Sequence, residues 1–282
     1  MMGVFNAMTI DVEDYFQVAA LSQSISYDDW GSIPVRVEKN TLRLLDLFDK
    51  YEIKATFFVL GWVADRYPNI VKEIFSRGHE VASHGYSHQL VYLQTKAVFQ
   101  EETKRSKDIL EDIIQSEVVG YRAASYSITK DSIWALEVLA DLGFKYDSSI
   151  FPVRHDRYGI VGAPRHPYVH DIDANKSIVE FPLTTNKVFG KAMPIAGGGY
   201  FRIFPYWYFK SQFAKSVRNK PGVFYLHPWE IDPEQPKVKA SKLSMFRHYY
   251  HLDKTEARLE NMLESFEFTT MKDVLINQGL YQ

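Results

Sequence analysis

The chain has 282 residues, of which 46% are hydrophobic and 24% charged, a composition typical of a globular protein with an ample core. Its formal net charge of -2 gives no indication of a nucleic acid or an anionic membrane surface as partner. Because the sequence has no cysteine, disulfides and thiolate metal ligands are excluded, and a bound metal would need His, Asp or Glu.

The sequence shows no signal peptide and no segment that could cross a membrane. Its first residues lack a basic region, and only a short apolar run precedes Asp11. No apolar run approaches membrane-spanning length. We therefore expect a cytoplasmic protein.

Buried strands and amphipathic helices alternate through the first half of the chain. Strands are predicted at 4–12, 54–60, 79–83, 118–121 and 144–148. Helices are predicted to follow the first four of them, starting at Pro34, Pro68, Thr95 and Thr129. Gly78 and Gly143 are typical helix stops. The strand at 54–60 is expected to end at Gly61.

The second half is less regular. Residues 150–177, rich in Pro, His, Arg and Gly, are predicted to form a long loop on the surface. The remaining strands are predicted at 178–183, 222–226 and 268–269. Helices are predicted at 205–217, around Leu259 to Phe266, and after Thr270, whereas Gly197-Gly198-Gly199 is expected to be flexible backbone.

Alternation of this kind predicts an α/β fold with a parallel sheet covered by helices. About seven strand–helix units in one chain favour a (β/α) barrel over an open sheet. We find no internal repeat and no convincing linker, so we predict a single domain over residues 1–282.

Side chains that could carry chemistry lie at the ends of four of the predicted strands. They are Asp11, Glu13 and Asp14 at the end of the first strand, His84 and His88 after the third, Arg122 after the fourth and His227 after a late strand. In a parallel barrel the carboxyl ends of the strands meet at one face, so these residues would converge there.

His84 and His88 are four residues apart, a spacing at which two imidazoles can face one metal ion. Taken alone, such a pair is more often two surface histidines flanking a turn than a metal site. The acids and the arginine predicted at the same face favour the metal site.

These motifs resemble those of the NodB-homology polysaccharide deacetylases, carbohydrate esterase family 4. The first motif, Asp-Val-Glu-Asp at 11–14, resembles most the branch associated with exopolysaccharide biosynthesis in bacteria. The resemblance runs from about Thr9 to Trp229 and implies a distorted parallel (β/α) barrel, often of seven strands. It also implies removal of N-acetyl groups from amino sugars of an oligo- or polysaccharide, with release of acetate.

The resemblance implies a role for each matching residue. Asp11 would be the catalytic base, Arg122 would orient it, His84 and His88 would bind the metal, His227 would be the general acid, and Trp229 would form a wall of the acetyl pocket. A backbone N–H near Ser125 or Tyr126 would help to stabilise the oxyanion. The metal would be divalent, with zinc the first expectation and cobalt, nickel or iron also compatible with these ligands.

Two positions depart from the family pattern. The usual first motif has adjacent acids, whereas here Val12 intervenes, so that Glu13 or Asp14 could be the carboxylate ligand. The arginine motif usually has a proline two residues after the arginine, whereas this chain has Ala124. The altered motifs keep two other functions open: hydrolysis of another C–N bond, in a cyclic amide or a ureido substrate, and a catalytically silent carbohydrate-binding barrel.

Other polar residues are predicted to serve the loops. Asp147, Ser148 and Ser149 end a strand at the site face and could contact sugar or form a turn. His155, Arg157, Arg165, His166 and His170 lie in the long loop and could contact an acidic or polymeric substrate, with no role assigned. His79 and Glu80 lie at the far end of their strand and are predicted to be structural.

Overall fold

The computed structural model describes residues 5–155, 157–188 and 190–281. Val4, the predicted start of the first strand, lies outside them. The strands are β1 (Asn6–Val12), β2 (Thr56–Val59), β3 (Glu80–Ser83), β4 (Gly120–Tyr121), β5 (Tyr146–Asp147), β6 (Tyr168–Asp173), β7 (Lys176–Glu180), β8 (Thr185–Val188), β9 (Lys191–Pro194), β10 (Val223–Leu226) and β11 (Phe268–Thr269).

Helices separate most of these strands. They are α1 (Val37–Lys50), α2 (Gly61–Arg66), α3 (Pro68–Ser76), α4 (Lys96–Ile114), α5 (Ala135–Asp141), α6 (Gly198–Ile203), α7 (Tyr206–Ser216), α8 (Lys242–Tyr249), α9 (Leu252–Leu263) and α10 (Met271–Asn277). Thr95 and Thr270 cap α4 and α10 as predicted, since their side chains accept hydrogen bonds from Val98 N and Asp273 N. Among the described residues, no helix is long and apolar enough to cross a membrane.

The strands β10-β1-β2-β3-β4-β5-β7 form a parallel series in that order, with β6 antiparallel at the edge and β11 paired with β1. The predicted α/β fold with about seven parallel strands is therefore confirmed. Because all seven strands run the same way, their carboxyl ends lie at one face of the sheet.

The barrel is distorted between β7 and β10. Among the described residues, these two strands do not pair directly, and isolated hydrogen bonds from residues 184–197 to β10 take the place of strand pairing. Val223 N donates to Thr184 Oγ1 at 2.6 Å, and Thr184 Oγ1 donates to Val223 O at 2.8 Å. Gly197 forms a single parallel bridge with Tyr225, and Tyr225 N donates to Ala196 O at 2.8 Å. This part of the chain thus joins β10 to the far end of the series.

Side chains of the buried strand β1 alternate between two environments, as the period of a strand requires. Met8, Ile10 and Val12 pack in the larger apolar cluster, which includes helix residues such as Phe48. Asp11 faces the barrel interior, where it meets polar side chains at the carboxyl ends of the other strands. The strand therefore anchors the core on one side and starts the site on the other.

Several predictions of irregular structure were wrong. The predicted loop at 150–177 ends in an antiparallel hairpin of β6 and β7, and the stretch before Gly197 contains the hairpin of β8 and β9. Gly198 begins α6 instead of lying in flexible backbone, and Gly61, the predicted end of a strand, begins α2 after β2 has ended at Val59. The segment between Trp229 and Leu259, for which no element was predicted, contains α8. These elements are short and mostly half-exposed, so they lack the apolar periodicity on which the prediction rested.

Candidate metal and catalytic site

One cavity of about 390 Å³ opens at the carboxyl ends of the strands. The residues predicted to converge there that line it are Asp11, Glu13, His84, His88, Tyr126, His227 and Trp229. Arg122 lies behind the cavity and is fully buried. The structure therefore brings the sequence-predicted residues together, with the exception of Asp14.

Glu13, His84 and His88 form the one group among the described residues that has metal-ligand geometry. Each offers one ligand atom, and these atoms all lie within 4.8 Å of one another. His84 Nδ1 lies 2.8 Å from Arg122 O, and because a carbonyl only accepts, Nδ1 carries the hydrogen. Nε2 of His84 is then left without a proton, as a metal ligand must be.

Charge and burial in this group fit a cation. Burial lowers the pKa of His84 to about 4, so the ring is neutral near pH 7. Burial raises the pKa of Glu13, but His88 and His227 outweigh it and the pKa is lowered to about 2. Glu13 Oε2 is buried without a hydrogen bond, although His88 Nε2 lies 2.7 Å away. An ionised carboxylate and two imidazoles whose ligand atoms lie this close together are a donor set that fits a divalent metal.

Asp14 is placed elsewhere, at the start of α1. Its Oδ2 accepts hydrogen bonds from the backbone N–H groups of Arg36 (2.6 Å) and Val37 (2.9 Å), and its Oδ1 accepts from Tyr15 N (2.8 Å). These bonds satisfy N–H groups at a helix N-terminus. The geometry therefore favours Glu13 as the carboxylate ligand, and the prediction of Asp14 in that role is corrected to a structural one.

Asp11 is held by Arg122 through an ion pair of 2.6 Å between Asp11 Oδ1 and Arg122 Nη1. Its second oxygen, Oδ2, accepts from the hydroxyl of Tyr126 at 3.4 Å and lies 3.9 Å from His227 Nε2. Both partners of the ion pair are nearly inaccessible to solvent. The arrangement fixes one carboxylate oxygen and leaves the other on the cavity side.

Arg122 is in turn held by the end of β5. Its Nε donates to Ser148 O at 3.1 Å, and its Nη2 donates to Ser148 Oγ at 3.0 Å. Ser149 Oγ accepts from Ala123 N at 2.8 Å, and Asp147 Oδ1 accepts from Ser149 Oγ at 2.6 Å. Asp147, Ser148 and Ser149 therefore support the arginine loop, a role that was not among the two predicted for them, sugar contact or a turn.

His227 belongs to a buried chain of charges that the sequence analysis missed. His227 Nδ1 lies 2.7 Å from Glu230 Oε1, and Glu230 Oε2 accepts from Arg202 Nε at 2.6 Å. Burial lowers the pKa of His227, but Glu13 and Glu230 outweigh it and raise the pKa to about 9. Arg202 precedes Glu230 by 28 residues, so no local spacing in the sequence indicates that they pair. The only signal in the sequence was Glu230 itself, an acid three residues after His227.

Trp229 lies at the wall of the cavity, stacked between His227 (centroids 5.2 Å apart) and His248 (4.3 Å). Its indole Nε1 donates to Glu13 Oε1 at 3.4 Å. Ser125 and Tyr126 both have positive φ, 51° and 56°, an uncommon backbone for residues other than glycine that clusters at functional sites. Tyr126 N is used in a bond to Ala123 O, so the Ser125 N–H is the remaining candidate for the oxyanion.

Two family models match the chain, one after the other. Residues 21–146 match the model described as polysaccharide deacetylase, which includes His84, His88 and Arg122. Residues 148–276 match a domain of unknown function (DUF3473), which includes His227.

Curated relatives match a part of the chain. The chain is 33% identical over 108 residues to a peptidoglycan deacetylase of Helicobacter pylori, covering 38% of this chain and 36% of the relative. It is 37% identical over 81 residues to a peptidoglycan-N-acetylglucosamine deacetylase of Bacillus cereus, covering 29% and 28% of the two chains. The chain thus spans about a third of the length of these relatives.

The fold is shared over nearly the whole chain with a solved structure described as a putative polysaccharide deacetylase from Mycobacterium smegmatis. The match has a TM-score of 0.63 and covers 99% of this chain and 92% of that one. The sequence identity is 16%, so this likeness concerns the fold alone.

Proposed function

We propose that this chain is a member of the NodB-homology polysaccharide deacetylase family and removes N-acetyl groups from amino sugars of a bacterial surface polysaccharide or its precursor. The main support for the proposal is that three groups of interacting side chains lie at one cavity. These are the Asp11–Arg122 ion pair, the Glu13–His84–His88 group and the His227–Glu230 pair. The same convergence supports a single catalytic domain, because β10 from the second family segment pairs with β1. A cytoplasmic location stays a prediction.

Glu13, His84 and His88 would hold a divalent metal, with zinc the first expectation. When bound, such an ion supplies Lewis acidity toward the amide carbonyl and lowers the pKa of water at the site. Two histidines and one carboxylate leave coordination positions open, as a catalytic site requires.

Asp11 acts as the general base that accepts a proton from the attacking water. Arg122 holds Oδ1, so the proton goes to Oδ2, which is on the cavity side. The Ser125 N–H donates to the carbonyl oxygen as negative charge develops there. Arg122 thus fixes the base, and the strained turn at Ser125 presents a donor.

His227 acts as the general acid that protonates the leaving sugar amine. Glu230 binds Nδ1, which leaves Nε2 as the nitrogen that faces Glu13, 3.4 Å away, and the cavity. An amine is too basic to leave without a proton, so a charged His227 before bond cleavage is the state that the reaction needs. Trp229 packs against this imidazole and limits its movement.

The test is acetate release from N-acetylglucosamine oligomers by the metal-loaded protein, with and without chelator. We expect chelator to abolish release and metal to restore it, and we expect His84→Ala to lose both metal and release. His170→Ala changes a histidine on β6, in the hairpin of β6 and β7 at the sheet edge. It is the matched control and should behave as the unmodified protein.

Two outcomes would contradict the proposal. A protein that binds metal but releases acetate from no acetylated sugar would favour another C–N bond as substrate. A protein that binds sugar but binds no metal and releases no acetate would favour a carbohydrate-binding barrel.

A further inference from the structure

The cavity extends well beyond the residues assigned above. Its outer wall comes from the segment after β5, from α6 and from α8, and it includes Arg157, Tyr158, Tyr200, Phe204 and Arg247. A volume of about 390 Å³ is in the range that holds a whole small ligand, more than one acetyl group needs. The outer wall is therefore placed to contact parts of the substrate away from the scissile amide.

The aromatic side chains of this outer wall hold one another in place. Tyr158 stacks on Phe151, with centroids 5.5 Å apart, and on His155 at 3.8 Å. Its hydroxyl lies 3.3 Å from the hydroxyl of Tyr200 on α6. Segments that are far apart in sequence thus build one preformed surface with hydroxyl groups and ring faces, which suits a sugar.

The charge of the outer wall is positive. Among the described residues that line the cavity, Asp11 and Glu13 are the acids, and both are committed to the inner site. Arg202 is neutralised by Glu230. Arg157 and Arg247 are exposed, and neither forms an ion pair within the described part of the chain. Both guanidinium groups stay charged at any physiological pH.

Within the described part of the chain, Arg157 and Arg247 form hydrogen bonds through their backbones and none through their guanidinium groups. An exposed arginine without an acidic partner contributes little to stability, and the chain as a whole is slightly acidic, with a formal net charge of -2. Arg247 nevertheless lies close enough to Tyr158 to lower the pKa of its hydroxyl, against the larger effect of burial, which raises it. Arg247 and Tyr158 thus belong to the same part of the cavity lining.

We propose that Arg157 and Arg247 bind an acidic group on the glycan, a carboxylate or a phosphate, next to the acetylated amino sugar. The proposal rests on the deacetylase function and adds the class of substrate, an anionic glycan. A guanidinium recognises both groups by paired hydrogen bonds. Tyr158, Tyr200 and the Glu13–His84–His88 group line the same cavity as the two arginines, so one glycan can contact all of them.

The first test is binding to the metal-loaded Asp11→Asn protein, in which loss of the general base is expected to slow turnover. The probes are an oligosaccharide that alternates N-acetylglucosamine with glucuronic acid, and the same oligosaccharide with its carboxyl groups reduced to alcohols. A second pair, N-acetylglucosamine oligomers with and without a phosphate ester, distinguishes the two sources of negative charge. We expect at least one acidic probe to bind roughly tenfold more tightly than its neutral counterpart at low salt.

Arginine variants and added salt test whether Arg157 and Arg247 cause the preference for the acidic probe. In Arg157→Gln and Arg247→Gln the preference for the acidic probe should fall, and in the double variant it should vanish. Arg218→Gln, which removes an exposed arginine outside the cavity, is the charge-matched control and should keep the preference. Added salt should weaken binding of the acidic probe more than that of the neutral one.

Equal affinity for acidic and neutral probes in both pairs would overturn the proposal, as would a preference that survives in the double variant. Measuring acetate release distinguishes failure of the anionic subsite from failure of the proposed deacetylase function. Equal release from neutral and acidic oligosaccharides would reject the anionic subsite and leave the deacetylase, whereas selective binding without any release would reject the deacetylase and leave the subsite.

Discussion

At the scale of single residues, the first motif shows how two neighbouring acids acquire different roles. Glu13 points into the cavity toward two histidines, whereas Asp14 points toward the backbone N–H groups that begin α1. Burial raises the pKa of Asp14 to about 6, while the histidines lower that of Glu13 to about 2. The direction of each side chain at the end of β1 thus decides which acid can bind a cation.

Paired alanine variants separate these two roles. Glu13→Ala should lose metal affinity by more than the roughly 10- to 100-fold typical of removing an outer hydrogen-bond partner, because it removes a ligand. Asp14→Ala should keep the metal but lose about 2 kcal/mol of the free energy of unfolding, because three backbone N–H groups lose their acceptor. Metal content and urea unfolding measure the two effects. Loss of metal in Asp14→Ala but not in Glu13→Ala would show that Asp14 is the ligand.

Glu230 acts through His227, so its removal should affect turnover more than binding. We expect Glu230→Gln to lower kcat for acetate release about tenfold or more with little change in KM, because the imidazole loses the charge that orients and stabilises its protonated form. Glu234→Gln, an exposed neighbour, is the control. A rise in KM at constant kcat would instead indicate that Glu230 serves substrate binding.

At the scale of elements, the predicted parts of the fold are those whose sequence pattern reflects burial. The strand β1 is buried throughout, and its apolar run predicted it within two residues. By contrast, β6 alternates between half-buried and exposed positions at the sheet edge, so no apolar run marks it. Gly197 was predicted to be flexible for its lack of a side chain, but that lack is what lets it approach β10 closely.

Replacing Gly197 should disturb the end of β10, which carries His227. A Cβ at this position would lie 2.0 Å from Tyr225 O, and its φ of 135° is one that other residues rarely adopt. We expect Gly197→Ala to lower the free energy of unfolding by about 2 kcal/mol or more. Gly31→Ala, where a Cβ meets nothing within 4 Å, should change it little. Chemical unfolding compares them, and equal stabilities would show that the close approach is unimportant.

At the scale of the whole molecule, the parallel order of the strands explains why the sequence predicted so much of the site. Asp11, Glu13, His84, His88, Arg122 and His227 each lie at or shortly after the carboxyl end of a strand, and parallel strands bring those ends to one face. Glu230 and Arg202 were missed because their pairing depends on how α6 packs against the turn after β10. Distant contacts of this kind leave no spacing in the sequence.

The stability of the molecule should fall in mild acid, partly through His79 at the opposite end of β3. Burial lowers the pKa of His79 to about 4, and its Nδ1 accepts from Ala55 N at 3.1 Å. The unfolded state therefore takes up the proton first as pH falls below about 6.5, and stability is lost between that pH and about 4.

His79→Asn tests this pH dependence, since the amide oxygen can still accept from Ala55 N. The loss of unfolding free energy between pH 7.5 and 4.5 should be smaller in this variant than in the unmodified protein by about 2 kcal/mol. His170→Asn, on the outer hairpin, should follow the unmodified protein. Identical pH dependence in all three proteins would show that His79 stays neutral in both states or is protonated in both.

The most direct test of the central claim is acetate release by Asp11→Asn loaded with metal to the same content as the unmodified protein. Asp11 is paired with Arg122 and lies outside the metal-binding group, so the variant should keep the ion. We expect release from N-acetylglucosamine oligomers to fall by about 100-fold or more, because the base is lost. Release at the unmodified rate, with metal content equal, would contradict the assignment of Asp11 and the hydrolytic mechanism built on it.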